Sequence, residues 1–389
     1  MRTNITHPLP VDTFKSLAGV QKPNSVSLYL PMFKKGKEQN QEMGPATLKT
    51  QINELEKILS LNGLKNQMMA EYLAPIKALV ADRELWRNPS DGLAIFLNEQ
   101  SGLQYYQLPI SFEKTTYVGD HFYLLPLFQL YQVNGQYYIL ELSQDHVKLY
   151  QADRYGLQDL FIEMHAPEQL EEAVGYDYKQ KSLQFRTGQA GFAQGAFHGH
   201  GEGKDDEKKE LLKFFKEIDK AVNKTLDANK APLLIAGVSR WHSLYEEVNT
   251  YSKLYKEPLV GDPEFKNKGQ LHKESWKLIR PYFEETLRNK IAGFKDQEHL
   301  EITSHQISDI LPATENGRVD TLFIKKGADL FGTYGPKKCL ILDSEKTTKN
   351  KSLLNKAALD TFQKGGHVYV LEQEDMPFPR RAVNALFRY

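Results

Sequence analysis

His198 and His200 stand two residues apart, so in an extended segment both rings fall on the same side of the chain. Asp205 and Asp206 follow closely, and imidazole with carboxylate is a ligand set that suits zinc or another divalent ion. His198, His200 and Asp205 therefore form a candidate metal site, and metal-assisted hydrolysis of RNA or another phosphoester is the chemistry it would support. Against this, five glycines lie between positions 191 and 203, and ordering so free a backbone costs conformational entropy. Polar residues on a glycine-rich loop are the plainer reading. The same stretch, GAFHGHGEGKDDEKKE at 195–210, runs into a helix start, where free N–H groups attract phosphate. Here Asp205, Asp206, Glu207 and Glu210 already complement the helix dipole and would repel an anion. The chain has no GxxxxGK[ST] and no GxGxxG after a strand.

Other candidates are thinner. Glu141 and Asp145 are the acidic residues on plausible strands of the middle region, and a two-metal nuclease would need such carboxylates; two scattered acids are explained as well by solvation. No Ser/His/Asp or Cys/His set can be argued from spacing. The lone cysteine, Cys339, excludes an internal disulfide or a thiolate cage, and its place before LILD reads as core. Trp241 and His242 open a helix and read as packing or as a surface anchor. KTTKNKSLLNK (346–356) gathers lysines without an acid, which suits a phosphate-facing patch or, more plainly, a solvated helix face.

The elements that must position these residues span 389 residues, enough for two or three domains. Hydrophobic content of 40% supplies real cores, and 50 basic against 50 acidic residues argue against a general polyanion binder. Residues 1–133 carry 13 basic and 12 acidic groups, 134–270 carry 18 and 22, and 271–389 carry 19 and 16. The last region is thus mildly basic. PLLIAGV (232–238) is too short to cross a bilayer, and MRTNITHPLPVDTF lacks an apolar signal region. A cytoplasmic protein without cofactor or membrane partner is expected.

SVSLYLPMF (25–33) reads as a strand, Leu48, Ile52, Leu55 and Leu59 as a helix face, and DGLAIFLNE with GLQYYQLP as a hairpin. In the middle region, GQYYILELSQDHVKLYQAD (135–153) is a second hairpin. Leu211, Phe215, Ile218, Val222 and Leu226 form a helical stripe, APLLIAGVS is a buried strand, and WHSLYEEVNTYSKLY is a helix. HKESWKLIRPYFEETLRNKIAGF reads as helical apart from Pro281. The last hundred residues alternate between helices and strands, with glycine stops at Gly317, Gly365 and Gly366. Fold class is α/β.

Two stretches of the last region carry a resemblance. NGRVDTLFI (316–324) followed by KGGHVYVLEQEDMP…AVNALFRY (364–389) resembles the third domain of archaeo-eukaryotic class I release factors and Pelota, and SVSLYLPMF, PLLIAGVSRWHSLYEEVN and ALFRY resemble the bacterial relatives of that superfamily. The resemblance implies three domains: an N-terminal α/β domain (1–133), a ribonuclease-H-like middle domain (134–270) with the glycine-rich loop 186–206, and a linking helix with an L7Ae-like α/β domain (271–389). It implies the ribosomal A site as setting, ribosomal RNA as partner, and tRNA or a partner translation factor beside it. In release factors the equivalent loop carries Gly-Gly-Gln and reaches the peptidyl-transferase centre. Here the interval holds Thr187-Gly188-Gln189, then AQG and HGHGEG, and acids rather than basic residues follow it. Peptidyl-tRNA hydrolysis is thereby put in doubt, and a non-enzymatic role in rescue, termination-like or hibernation events leads. On this reading Gly188, Gln189, His198, Gly199, His200, Gly201 and Lys204 face RNA. The metal-dependent hydrolase and a non-catalytic protein-interaction module stand as alternatives.

Overall fold

In the computed structural model, which describes residues 3–4, 9–32, 37–87, 89–133, 135–143, 147–161, 202–226, 231–261, 267–335 and 339–389, the chain divides into two units. One joins Met1–Val133 with Glu285–Tyr389, and the other is Asn134–Glu284. Both are mixtures of sheets and helices, the α/β class expected.

The first part of unit one contains β1 (Thr3–Asn4), α1 (Val11–Ala18), β2 (Ser25–Pro31), α2 (Lys37–Leu61), α3 (Asn66–Val80), α4 (Arg83–Arg87), β3 (Gly92–Asn98), β4 (Gly102–Leu108) and β5 (Thr115–Gly119). The strands form one sheet in the order β1-β4-β3-β2-β5, with β3 and β4 paired antiparallel as the expected hairpin. Val26, Leu28 and Leu30 alternate onto one face and meet Leu48, Ile52, Leu55 and Leu59 of α2 and Leu73 and Ile76 of α3.

Unit two opens with β6 (Tyr137–Leu142), β7 (Val147–Ala152) and β8 (Leu157–Leu160). It continues with α5 (Glu202–Leu226), β9 (Leu233–Gly237), α6 (Ser239–Val248), β10 (Leu259–Val260) and the long α7 (Lys268–Asp296). Its sheet order is β10-β9-β6-β7-β8; β6, β7 and β8 run antiparallel, whereas β9 is parallel to β6 and β10 parallel to β9. Three antiparallel strands followed by two that join the first in parallel is the ribonuclease-H-like arrangement. Period-two alternation gives β6 two apolar faces. Tyr138, Leu140 and Leu142 bury against Leu211, Phe215, Ile218 and Val222 of α5, while Tyr137 and Ile139 bury against Leu271 and Ile279 of α7. Two sequence expectations change here. Helix α6 stops at Val248 instead of running to residue 255, and α7 passes through Pro281 without interruption. Packing of Ile279 and Phe283 on either side of the proline carries the helix over the missing N–H.

The rest of unit one holds the last turns of α7, then β11 (Thr303–Ser304), α8 (Ile307–Glu315), β12 (Val319–Lys325), β13 (Phe331–Tyr334), β14 (Leu340–Asp343), β15 (Lys351–Ser352), α9 (Leu353–Gln363), β16 (His367–Leu371) and β17 (Val383–Phe387). A mixed sheet runs β11-β17-β12-β16, and a small antiparallel one runs β14-β13-β15. Gly317 and Gly365, with φ of +66° and +75°, sit just past α8 and α9, the left-handed positions that end helices. The two stretches of unit one interlock: Phe14 lies 5.0 Å from both Phe128 and Phe362, edge to face. Buried Asn355 accepts from the amides of Leu124 (2.8 Å) and Leu125 (3.1 Å) and donates to the carbonyl of Phe122 (3.1 Å). Cys339 is exposed, which corrects the core reading: it leads into an outer strand of a three-stranded ribbon.

Candidate functional site

Strand direction fixes where the glycine-rich segment attaches. β7 is antiparallel to both β6 and β8, so β8 runs with β6, β9 and β10. The C-terminal ends of all four strands therefore share one edge of the sheet, and the interval between β8 and α5 joins the sheet at that edge. Gly188, Gln189, His198, Gly199, His200 and Gly201 belong to this interval and lie outside the described residues, as does Asp145. Lys204 and Asp205 fall in the first turn of α5, because the helix starts at Glu202. That is earlier than the acidic run suggested.

The edge itself is built with little tolerance. A Cβ on Gly237 would come within 2.8 Å of the Leu142 carbonyl oxygen, so glycine alone lets the end of β9 lie flat against β6. Gly261 donates its N–H to the Gly237 carbonyl at 3.2 Å, closing β10 onto the same edge. From there α6 starts at Ser239. Its Trp241 is buried against Phe215 with ring centroids 5.8 Å apart, the packing reading of that residue, and the Arg240 guanidinium lies over the indole at 5.8 Å. His242 has an Nε2 sealed from solvent with no hydrogen-bond partner, and burial lowers its pKa, so it is neutral at pH 7.

Asp219 clamps the helices behind this edge. Buried at 3% exposure, it accepts from the Thr250 amide through both oxygens (3.1 Å each), from Thr250 Oγ1 (2.5 Å) and from the Tyr245 hydroxyl (3.2 Å). Burial, with Asp219 beside it, pushes the Tyr245 phenol far up, so the hydroxyl stays a donor. Glu141 is committed in the same way. Its buried carboxylate accepts from Tyr150 at 2.8 Å and lies 4.0 Å from Lys148, its cross-strand neighbour. A carboxylate so engaged is a structural acceptor. Among the described residues, no group of three or more His, Cys, Asp or Glu side chains is arranged to hold a metal ion.

Of the lysines at 346–356, Lys346, Lys351 and Lys356 have partners within the fold, and only Lys356 lies on a helix. Lys346 lies over the Tyr117 ring at 5.2 Å and donates to the carbonyls of Thr347 (2.6 Å) and Asn350 (2.7 Å). Lys351 pairs with Asp120 at 2.9 Å, and Lys356 with Asp360 (2.8 Å) and Glu315 (3.2 Å). Hydrogen bonds from His121 and Lys351 hold the Asp120 carboxyl well below the usual range. Beneath them lies Asp329, which had no signal in the sequence. It accepts from Ser352 Oγ at 2.6 Å and from the Leu330 amide at 2.8 Å. Burial raises its pKa to about 6, against hydrogen bonds that include one from Tyr123.

No helix among the described residues is long and apolar enough to cross a membrane. No curated protein matches the sequence. Solved structures it resembles include the archaeal translation termination factor aRF1 (14% identity, 97% of each chain covered, TM-score 0.24). They also include archaeal Pelota in a model of its ribosome-bound complex with ABCE1 (10% identity, 98% of this chain and 95% of that one, TM-score 0.38). A third is S. cerevisiae Dom34, a translation termination-like factor (10% identity, 77% and 80% covered, TM-score 0.35). Scores of that size leave the sheet topology and the family match to carry the reading. Residues 137–281, which is unit two almost end to end, match the model of bacterial archaeo-eukaryotic release factor family 7, and the resemblance to that family is shown over this region.

Proposed function

We propose that this chain is a ribosome-associated translation factor that presents the segment 186–206 from its middle unit toward ribosomal RNA near the peptidyl-transferase region. The observation that supports this is the coincidence of the release-factor family match with unit two, whose β8-to-α5 connection contains the glycine-rich segment. In this reading the regions 1–133 and 271–389 dock on the ribosomal A site, in rescue, termination-like or hibernation events. Gly188, Gln189, His198, Gly199, His200, Gly201 and Lys204 contact RNA: glycines permit close approach, and histidine, glutamine and lysine meet phosphate or base edges. Lacking Gly-Gly-Gln, the segment binds without hydrolysing peptidyl-tRNA. tRNA or a partner translation factor shares the site, and the setting is the cytoplasm. Commitment of Glu141 to Tyr150 gives the nuclease reading no support.

The test is co-sedimentation of the purified chain with ribosomes in a sucrose gradient, alongside a variant lacking residues 187–204 and the pair His198→Ala/His200→Ala. Binding by the wild type that weakens in both variants supports the proposal. Absence of the wild type from every ribosomal fraction overturns it. Full binding by the deletion variant overturns the role given to the segment.

A further inference from the structure

We propose that a recess formed by both stretches of unit one binds a phosphate ester of nucleotide size, its phosphate held by Lys349 and Asn24 in the field of Lys346. The recess encloses about 480 Å³, within the roughly 300–1,000 Å³ of small-molecule sites. Its walls come from Asn24, the end of α2 at Leu61 and Asn62, the end of β5 through Asp120, and the turn leading into β15. Lys346, Lys349 and Lys351 line it against one carboxylate, Asp120. That carboxylate is already engaged by Lys351 and by His121, each at 2.9 Å. Among the described residues neither Lys346 nor Lys349 joins an ion pair, so two positive charges at the recess have no adjacent counter-ion.

Lysines on a loose loop are ordinary solvated surface, but this turn is fixed. Asn350 accepts from the Thr347 amide at 2.7 Å and donates to the Glu345 carbonyl at 2.8 Å and to Asp343 at 2.9 Å. Thr347 Oγ1 accepts from the Lys349 amide at 3.3 Å. Lys346 spends its protons on the Thr347 and Asn350 carbonyls and on the Tyr117 ring, which hold the ammonium without cancelling its charge. Burial disfavours that charge, and an anion in the recess would offset the cost. A turn fixed before binding spares the ligand the entropy of ordering it.

The opposite wall is fixed as well. Asn24 stands in the left-handed region, with φ of +57°, which asparagine tolerates. Its carbonyl accepts from the Tyr72 hydroxyl at 2.8 Å and its Oδ1 from Asn62 Nδ2 at 2.9 Å, so its own Nδ2 is left as a donor. The last carbonyls of α2, on Ile58, Leu59 and Ser60, are taken by the amides of Asn62, Leu64 and Gly63, so that helix end presents no bare carbonyls to an anion. An ammonium, an amide and the Thr348 hydroxyl meet several acceptor oxygens at once, which a phosphate offers. Leu61, 76% exposed, gives the organic part an apolar surface.

Calorimetric titration of the full chain with AMP, and separately with a short single-stranded RNA, tests the site, which does not involve the segment 186–206. Lys349 is exposed, so Lys349→Glu is expected to leave the fold intact and to weaken AMP about tenfold or more. Asn24→Asp keeps the acceptor for Asn62 and replaces the donor, and is expected to weaken AMP at least about fivefold. Lys216→Glu, the same charge reversal on α5, is expected to leave binding unchanged. RNA that binds with this pattern of variants while AMP does not assigns the phosphate to a nucleic-acid strand instead of a free nucleotide. Failure of both probes to bind at millimolar concentration overturns the proposal, as does a Lys216→Glu effect equal to that of Lys349→Glu.

Discussion

Replacing Asp329 by Asn isolates the energetic effect of a carboxylate buried where the two stretches of unit one meet. Its Oδ1 accepts from Ser352 Oγ and the Leu330 amide, and an asparagine keeps that oxygen. Burial raises the carboxyl from its ordinary value of 3.8 to about 6. A raised acid is held in its protonated form by the fold. Its contribution is therefore fully present below pH 3.8 and is lost as pH rises through 6. The shift of about two units corresponds to roughly 3 kcal/mol at neutral pH, an upper figure because the unfolded chain is itself partly compact. Asp329→Asn removes that loss, so the variant is expected to exceed the wild type by about 1–3 kcal/mol at pH 7, and to converge with it near pH 4. The assay is urea unfolding at several pH values, followed at Trp86 with Trp241 and Trp276 replaced by Phe in both proteins. The variant-minus-wild-type difference cancels the other titrating groups, including Asp120, whose lowered pKa gives a contribution that disappears in the opposite direction, as pH falls. A difference that stays flat from pH 4 to 7, or a variant less stable than the wild type at pH 7, refutes the reasoning.

Asn355→Ala leaves the amides of Leu124 and Leu125 and the Phe122 carbonyl without their partner, and is expected to cost roughly 2–5 kcal/mol in the same unfolding assay. Asp219→Ala strips the Thr250 amide and hydroxyl and the Tyr245 hydroxyl of one shared acceptor; a loss of about 3 kcal/mol or more, with faster hydrogen exchange in α6, is the expected result. Gly237→Ala forces a Cβ against the Leu142 carbonyl and is expected to destabilise unit two by about 1–3 kcal/mol, read by thermal unfolding. Ile218→Ala, at a fully buried position of α5, should cost about 2–5 kcal/mol by the same measurement.

Local patterns were legible because each repeats within a few residues. The stripe from Leu211 to Leu226 is buried throughout, and the hairpins at 92–108 and 137–152 pair as read. Gly317 and Gly365 adopt positive φ where helices were expected to stop. What escaped is carried by distance along the chain. Phe14 meets Phe362, and Asn355 bonds Leu124 across 231 positions; no periodicity announces such pairs. Cys339 read as core because it precedes the apolar run LILD, whereas that strand is the outer member of a narrow ribbon. Lysines at 346–356 read as a solvated helix face or a phosphate-facing patch because partners such as Asp120 and Glu315 are supplied from elsewhere in the fold. Of the candidate site, sequence order located the attachment of the glycine-rich segment but not the Gly237–Leu142 contact or the Asp219 clamp behind it.

Those two features bear on the proposed role of the glycine-rich segment. On the proposed reading, its placement rests on the described elements that anchor it. One anchor is β8, hydrogen-bonded along β7; the other is α5, whose stripe is buried from Leu211 to Leu226 and whose Asp219 is tied to Thr250. Loosening the second anchor without touching the segment should therefore weaken ribosome co-sedimentation. Asp219→Asn suits this purpose, because it retains an acceptor for the Thr250 amide while weakening the charge-assisted bonds. If the variant folds and binds as tightly as wild type, the segment does not depend on the rigidity of α5, and RNA contact must be directed from another surface.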